Sequence, residues 1–175
     1  MSEPQRPLRS LHSLPPEGAD RSVGTAGRDS RDARDHTRAD YRHFLAIPTR
    51  WMDNDTYGHV NNVTYYSYFD TVVNEHLIRE GGLDIRGGDV VGLVVETSCR
   101  FYRPLSFPET IDAGMRVSKL GRSSVTYEIA LFRTGETTPA ASGRFVHVWV
   151  DRYAMKPTDI PPQVRAALQP LVAAQ

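Results

Sequence analysis

A short stretch of the chain, residues 51–70, concentrates side chains that could act on a carbonyl group. Within ten residues stand Asp53, Asp55, His59, Asn61 and Asn62. An ionised carboxylate can orient or deprotonate a water molecule, or attack a carbonyl carbon directly. An imidazole can carry a proton near neutral pH. The stretch is therefore predicted to polarise a carbonyl and activate water.

Asp55 is the main candidate for this chemistry. It precedes Gly58, which can adopt a positive φ without steric penalty, so the chain can double back and turn Asp55 toward the next helix. At its ordinary pKa of about 3.9 an aspartate is ionised at neutral pH but is a weak base. From the residues alone, Asp55 is either catalytic or a turn-stabilising side chain that accepts a backbone amide.

The start of the following helix supplies the complementary part. Asn61 or Asn62 can cap it, an apolar pattern at spacings of three and four extends it to about Glu80, and Gly81-Gly82 ends it. The first amides of a helix lack intrahelical partners and carry partial positive charge. A developing oxyanion placed there gains hydrogen bonds, each typically worth about 2.7–4 kcal/mol in a transition state. The backbone amides are predicted to act on the substrate.

Two further residues of the turn have open roles. His59 could carry a proton or donate a hydrogen bond to the substrate carbonyl, or it could lie wedged between helix and sheet. Tyr57 could line the pocket or merely fill the turn, and the sequence offers no basis for a choice.

The elements that must position these residues read as an α+β fold. A strand is predicted over 43–52, in which Pro48 indicates a sheet edge or a local irregularity, and then comes the helix. Further strands are predicted over 90–102, 110–120, 123–134 and 140–151, followed by a short helix over 164–171. The expected architecture is a five-stranded antiparallel sheet with one helix on one face. The strand segment 145–150 is apolar on both sides, so a symmetric homo-oligomer is expected.

Composition excludes several classes of function. The formal net charge is zero, so no general field favours nucleic acid or an anionic membrane. No apolar run approaches the roughly 18 residues needed to cross a bilayer. The single cysteine, Cys99, excludes an internal disulfide and a cysteine-rich zinc site. The expectation is a cytoplasmic protein with no nucleic-acid or membrane partner and no bound metal.

The first 40 residues differ from the rest of the chain. They contain no Phe, Trp or Tyr and are rich in Arg, Asp, Ser, Pro and Gly. Such a segment cannot bury enough apolar surface to offset a chain entropy of about 1–2 kcal/mol per residue. Residues 1–40 are predicted to be a disordered, solvated tail and residues 41–175 a single domain.

The motif Asp55-Thr56-Tyr57-Gly58-His59-Val60-Asn61-Asn62-Val63-Thr64-Tyr65 resembles that of the 4-hydroxybenzoyl-CoA thioesterase-like acyl-CoA thioesterases. The resemblance continues through Pro104, the turn at 121–124 and the segment 148–151, and covers about residues 42–170. It implies the hotdog fold, in which a five-stranded antiparallel sheet wraps around one long central helix. It also implies a homodimer or homotetramer whose active sites lie at the dimer interface.

The resemblance also implies an activity, the hydrolysis of an acyl-CoA to a carboxylic acid and free coenzyme A. It implies Asp55 as general base or nucleophile and the amide of Asn62 as the group that polarises the thioester carbonyl. His59 is the third residue expected to be catalytic. Five other residues of the motif are expected to contact the substrate: Tyr57, Gly58, Val60, Asn61 and Tyr65. No cofactor is implied beyond the coenzyme A of the substrate itself.

Two alternative functions remain open at this stage. The Gly-His-Val-Asn-Asn core is also similar to that of plant acyl-ACP thioesterases, which use an Asp, an Asn and a His. Asp55 and His59 match that pattern, but Tyr57 occupies the position of the Asn. The first alternative is an acyl-ACP thioesterase, and the second is a hotdog domain that binds an acyl thioester as a sensor without cleaving it.

Overall fold

The structure is a computed structural model that describes residues 33–173. Its centre is a five-stranded antiparallel sheet with the strand order β1-β3-β4-β5-β2. The strands are β1 (His43–Pro48), β2 (Val90–Phe101), β3 (Thr110–Leu120), β4 (Ser124–Arg133) and β5 (Ala141–Asp151). Two α-helices accompany it, α1 (Asn62–Arg79) and α2 (Pro162–Leu168). The predicted antiparallel sheet of five strands is confirmed.

The helix α1 packs one apolar face against the sheet. The side chain of Asn61 caps its first turn by accepting the amide of Val63, and Gly82 follows its end with φ +59°. Its buried residues recur at helical spacing and are Tyr65, Tyr68, Phe69, Val72, Val73, His76 and Leu77. Burial of each large apolar side chain stabilises the fold by roughly 1.5–3 kcal/mol.

A glycine lets α1 approach the sheet closely. A Cβ atom added at Gly143 of β5 would lie 2.3 Å from the ring of Phe69 and 2.4 Å from the carbonyl oxygen of Ser98. Atoms cannot come this close, so the ring of Phe69 fills the space that a side chain at position 143 would take. The contact sets the distance between the helix and the centre of the sheet.

Two predicted elements end earlier than expected. The first strand stops at Pro48 instead of residue 52, and Trp51–Asp53 form a 3₁₀ turn that leads into the loop. Pro48 lies on an edge strand, as predicted, because proline cannot donate a hydrogen bond to a neighbour. The last helix stops at Leu168 and continues as the 3₁₀ turn Gln169–Leu171. Pro170 lacks the amide that an α-helix needs there.

The outer face of the sheet, opposite α1, is covered in part by residues 33–41. His36 is buried, Arg38 forms an ion pair with Asp112 at 2.9 Å, and Tyr41 packs with Phe132. Residues 1–32 of the predicted tail lie outside the described residues, but the packed part of the chain begins before the predicted boundary at residue 41. Arg side chains can form such contacts because they pair with carboxylates and cover aromatic rings without being apolar.

The outer face of β5 differs from the prediction that a second copy of the chain must cover it. Val146 and Val150, on the outer face of β5, are buried within a single chain, so they require no second copy. Among the exposed apolar side chains of the described residues, three follow one another on the edge strand β2: Leu93, Val94 and Val95, with exposures of 38%, 46% and 60%. An exposed apolar edge strand can pair with another chain.

A buried histidine in β5 predicts how stability depends on pH. His147 is 2% exposed, and burial lowers its pKa to about 4. In the unfolded chain its pKa is about 6.5, so between these values the unfolded state binds more protons. As the pH falls from 6.5 to 4, the free energy of unfolding should therefore decrease, by up to about 3 kcal/mol.

Urea unfolding at several pH values checks this prediction. The His147→Phe variant, whose ring cannot titrate, should have a flatter stability profile over the same window. Burial also lowers the pKa of His43, an effect that His76 reinforces, so some pH dependence should remain in the variant. Equal slopes for both proteins would contradict the assignment to His147.

Candidate active site

The loop between the 3₁₀ turn and α1 doubles back on itself as predicted. The amide of Asp55 donates to the carbonyl of His59 at 2.7 Å, and the amide of Gly58 donates to the carbonyl of Asp55 at 3.1 Å. Gly58 has φ +79°, a conformation that costs glycine little and other residues more. The loop is therefore a tight turn that presents Asp55 beside the start of the helix.

The two carboxylate oxygens of Asp55 have different surroundings. Oδ1 accepts the amide of Tyr57 at 2.8 Å and that of His59 at 3.3 Å. Oδ2 has no hydrogen-bond partner among residues 33–173, and the side chain is half-buried. One oxygen thus stabilises the turn, which was the alternative to a catalytic role, while the other is left free for a ligand.

The amides at the start of α1 leave one donor unused. The amide of Asn61 donates to the carbonyl of Asp53 at 2.8 Å, and that of Thr64 to the carbonyl of Asn61 at 2.9 Å. The amide of Val63 is capped by the side chain of Asn61 at 3.2 Å. Within the described part of the chain, the amide of Asn62 makes no hydrogen bond. A helix N-terminus with a free amide can stabilise negative charge.

An open cleft of about 380 Å³ brings these groups together. It is lined by Asp55, His59, Val60, Asn62, Tyr65, Phe101, Tyr102, Arg103 and Pro104. All three predicted catalytic residues line it, and so do Val60 and Tyr65. Tyr57 is 84% exposed and lies outside the lining, as do Gly58 and Asn61, which shape the turn and cap the helix.

The residues of the far wall of the cleft were not among the predicted site residues. Residues 101–104, where β2 ends, face the loop, and the ring of Phe101 stands edge-on to Tyr65 with centroids 4.9 Å apart. Burial raises the pKa of Tyr65, whose hydroxyl also interacts with the backbone of Leu105. The break at Pro104 was visible in the sequence, but its approach to the Asp55 loop is a tertiary contact between distant segments.

Burial and geometry decide between the alternatives for His59. Its side chain is exposed on the cleft wall and is not wedged between helix and sheet. A substrate carbonyl oxygen that accepts the amide of Asn62 would lie in the same cleft as Asp55 and His59. The arrangement can polarise a carbonyl, activate or replace a water, and exchange protons with solvent.

Three other reactive or charged side chains in the described chain are occupied or unreactive. Burial raises the pKa of Cys99 to about 12, so its thiol stays protonated. Glu96 forms an ion pair with Arg144, and Arg103 pairs with Glu136 at 2.7 Å.

Within residues 33–173 no cluster of His, Cys, Asp or Glu could hold a metal ion. None of the helices there has the length and apolar character needed to cross a bilayer.

A larger cleft of about 490 Å³ lies beside α2 and lacks these features. Its charged side chains are Arg122, Asp159 and Arg165. Arg122 forms an ion pair with Asp159, and Arg165 donates to the carbonyls of Gly121 and Arg122. The charged side chains of this cleft are thus bonded to one another or to backbone carbonyls. The smaller cleft, which contains a free carboxylate oxygen and a free amide, is therefore the better candidate for an active site.

Comparison with known proteins gives a consistent assignment. Residues 49–168 match the model of the thioesterase-like superfamily. The PA5185 protein of Pseudomonas aeruginosa is 55% identical, with 79% of this chain and 97% of that chain covered and a TM-score of 0.78. PA2801 of the same species, assigned as a thioesterase, is 29% identical, with coverages of 71% and 96% and a TM-score of 0.68.

A third solved structure carries a ligand. It is a thioesterase from Thermus thermophilus in complex with coenzyme A and zinc. It is 27% identical to this chain, with 75% of this chain and 95% of that chain covered and a TM-score of 0.63.

Proposed function

Because this chain belongs to the thioesterase-like superfamily, we propose that it hydrolyses an acyl-CoA to a carboxylic acid and free coenzyme A. The observation that carries the proposal is one cleft lined by both Asp55, with a free carboxylate oxygen, and Asn62, with a free amide. The Thermus relative that binds coenzyme A supports a CoA ester as substrate.

The amide of Asn62 is the proposed electrophilic group. The thioester carbonyl oxygen would accept this amide, and the hydrogen bond would strengthen as the oxygen becomes an oxyanion. Such a donor is typically worth about 2.7–4 kcal/mol in the transition state. The dipole of α1, which is 18 residues long, favours negative charge at the same point.

Asp55 is the proposed base or nucleophile. As a base, its free oxygen takes a proton from water while the water oxygen bonds to the carbonyl carbon. The C–S bond then breaks, the thiolate of coenzyme A leaves, and a proton reaches it from Asp55 or through the exposed His59. As a nucleophile, Asp55 bonds to the carbonyl carbon, the C–S bond breaks, and the thiolate of coenzyme A leaves and takes up a proton. Water then hydrolyses the resulting anhydride, which releases the carboxylic acid and restores the Asp55 carboxylate. The sum of either route is acyl-CoA plus water giving acid plus thiol.

A free-thiol assay over a panel of aliphatic and aromatic acyl-CoA esters tests the proposal. The expected result is thiol release from at least one ester with saturation kinetics. Release only from the matching acyl carrier protein esters would favour the acyl-ACP alternative. Tight acyl-CoA binding without release from any ester would favour the non-catalytic sensor.

The proposal includes a homo-oligomer held together through β2, because the family resemblance places the site at a dimer interface. Val95 sits at an irregularity of β2 and is 60% exposed. A lysine at an edge strand discourages pairing with another chain. Val95→Lys should therefore shift the protein to monomers in analytical ultracentrifugation. Ile85→Lys, at a loop residue of 56% exposure, should leave the oligomer intact, and a wild-type monomer would contradict the proposal.

A further inference from the structure

Asp53 is a buried carboxylate at the base of the active-site loop. It closes the 3₁₀ turn Trp51–Asp53, and only 1% of its surface is exposed. Burying an ionised carboxylate is costly unless hydrogen bonds and an opposite charge compensate for the lost hydration. A stable carboxylate in this position therefore needs both hydrogen-bond donors and a positive charge beside it.

Three segments of the chain converge on Asp53. Its Oδ1 accepts two hydrogen bonds from the guanidinium of Arg50, at 2.8 and 3.0 Å. Its Oδ2 accepts the backbone amide of Arg50 at 2.7 Å and the hydroxyl of Tyr68 at 2.8 Å. Its carbonyl oxygen accepts the amide of Asn61 at 2.8 Å. Both carboxylate oxygens are saturated, which leaves this group no capacity to bind a substrate.

The charge of Asp53 is stabilised by these contacts. Burial by itself raises the pKa of Asp53, but the hydrogen bonds from Arg50 and Tyr68 outweigh it, so the pKa lies below its ordinary value. The pKa of Tyr68 is raised by burial and by the same hydrogen bond. Asp53 therefore stays an acceptor and Tyr68 a donor, and charge-assisted hydrogen bonds of this kind are the stronger ones.

The connections made by Asp53 join the two halves of the proposed site. The loop from Asp53 to Asn61 carries Asp55, and the bond between the Asp53 carbonyl and the Asn61 amide closes its base. Tyr68 belongs to the body of α1, whose first residue, Asn62, offers the free amide. A shift of Asp53 would thus move Asp55 relative to that amide.

We infer that Asp53 is a positioning residue, which holds the carboxylate of Asp55 at a fixed place relative to the amide of Asn62 through its bonds to Arg50, Tyr68 and Asn61. The inference rests on the proposed function for its effect on rate. A misplacement of reacting groups by about 1 Å can cost about 10²-fold in rate. The structural part of the inference holds without reference to any substrate.

Asp53→Asn is the variant that tests the inference, because it keeps the shape and removes the charge. It should lower kcat by about 10- to 10²-fold and change KM far less, since the substrate contacts remain. Tyr68→Phe, which deletes one hydrogen bond to Asp53 and retains the ring, should lower kcat in the same direction by less. The matched control is Asp84→Asn, at an exposed loop carboxylate that accepts the amides of Arg86 and Gly87; its kcat should be unchanged.

A double-variant cycle separates positioning from a general loss of stability. If Asp53 acts through Asp55, the Asp53→Asn/Asp55→Asn protein should be as slow as Asp55→Asn alone, within about twofold. Additive losses would overturn the inference. If Asp55→Asn keeps full activity, the proposed mechanism fails instead. If Asp55→Asn is slow but Asp53→Asn is fully active, only the inference on Asp53 fails.

Amide hydrogen exchange gives a readout that needs no substrate. In Asp53→Asn the amides of residues 54–61 should exchange at least about tenfold faster than in the wild type, because a charge-assisted network has been weakened. Exchange in the β-sheet should stay unchanged, and so should exchange of residues 54–61 in Asp84→Asn. Unchanged protection of residues 54–61 in Asp53→Asn would overturn the inference even if the protein cleaved no thioester.

Discussion

Asp55→Asn is expected to lower kcat for acyl-CoA hydrolysis at least about 10²-fold, the low end of acid–base contributions. Asparagine keeps an oxygen that can accept the amides of Tyr57 and His59, as Oδ1 of Asp55 does. The turn should therefore survive, while the negative charge and the free basic oxygen are lost. Steady-state thiol release at neutral pH measures the effect, and circular dichroism checks the fold.

Two further variants separate the catalytic role of Asp55 from its role in the turn. Asp55→Ala removes the turn contacts as well, so it should be at least as slow and should also unfold at a lower temperature than Asp55→Asn. Asp84→Asn alters a turn carboxylate outside the cleft and should retain wild-type kcat. Near-full activity of Asp55→Asn would remove Asp55 from the mechanism, whatever the other variants do.

Phe69→Ala is expected to lower the free energy of unfolding by about 3–5 kcal/mol. Phe69 is fully buried, and its ring lies against Gly143 where the sheet has no side chain. Because a single domain typically has only about 5–15 kcal/mol of stability, this is a large fraction of the total. Urea denaturation of variant and wild type at one protein concentration measures the difference.

An exposed residue of the same helix provides the control for Phe69. Ile78 is 42% exposed, so Ile78→Ala should cost no more than about 1 kcal/mol. The loss of unfolding free energy for Phe69→Leu should lie between those for Ile78→Ala and Phe69→Ala, since leucine leaves a smaller cavity than alanine does. A loss at Phe69→Ala as small as that at Ile78→Ala would mean that this contact does not hold α1 against the sheet.

The elements that the sequence predicted well depend on nearby residues. Gly58 has the positive φ that its place in the turn required, and Asn61 caps α1. The strand Thr110–Leu120 has the predicted bounds, because alternating apolar residues between two turn segments specify a strand. Such features follow from bonds and contacts within a few positions along the chain.

Contacts of residues 33–40 with the domain depend on side chains that composition does not count as apolar. Residues 33–40 lack aromatic side chains, yet Arg38 pairs with Asp112 and lies over the ring of Phe44. Composition reflects the amount of apolar surface, and it carries no information on an ion pair between positions that are far apart in the chain.

The sequence by itself determined the chemistry available: an aspartate before a glycine turn, a capped helix that follows it, and strands that alternate in polarity. Only the tertiary structure decided which oxygen of Asp55 is free, that residues 101–104 form the opposite wall, and that Asp53 is bound by Tyr68. The physical reason is the range of the interactions. Torsional preferences and caps act over about four residues, whereas a cleft exists only where segments distant in sequence pack together.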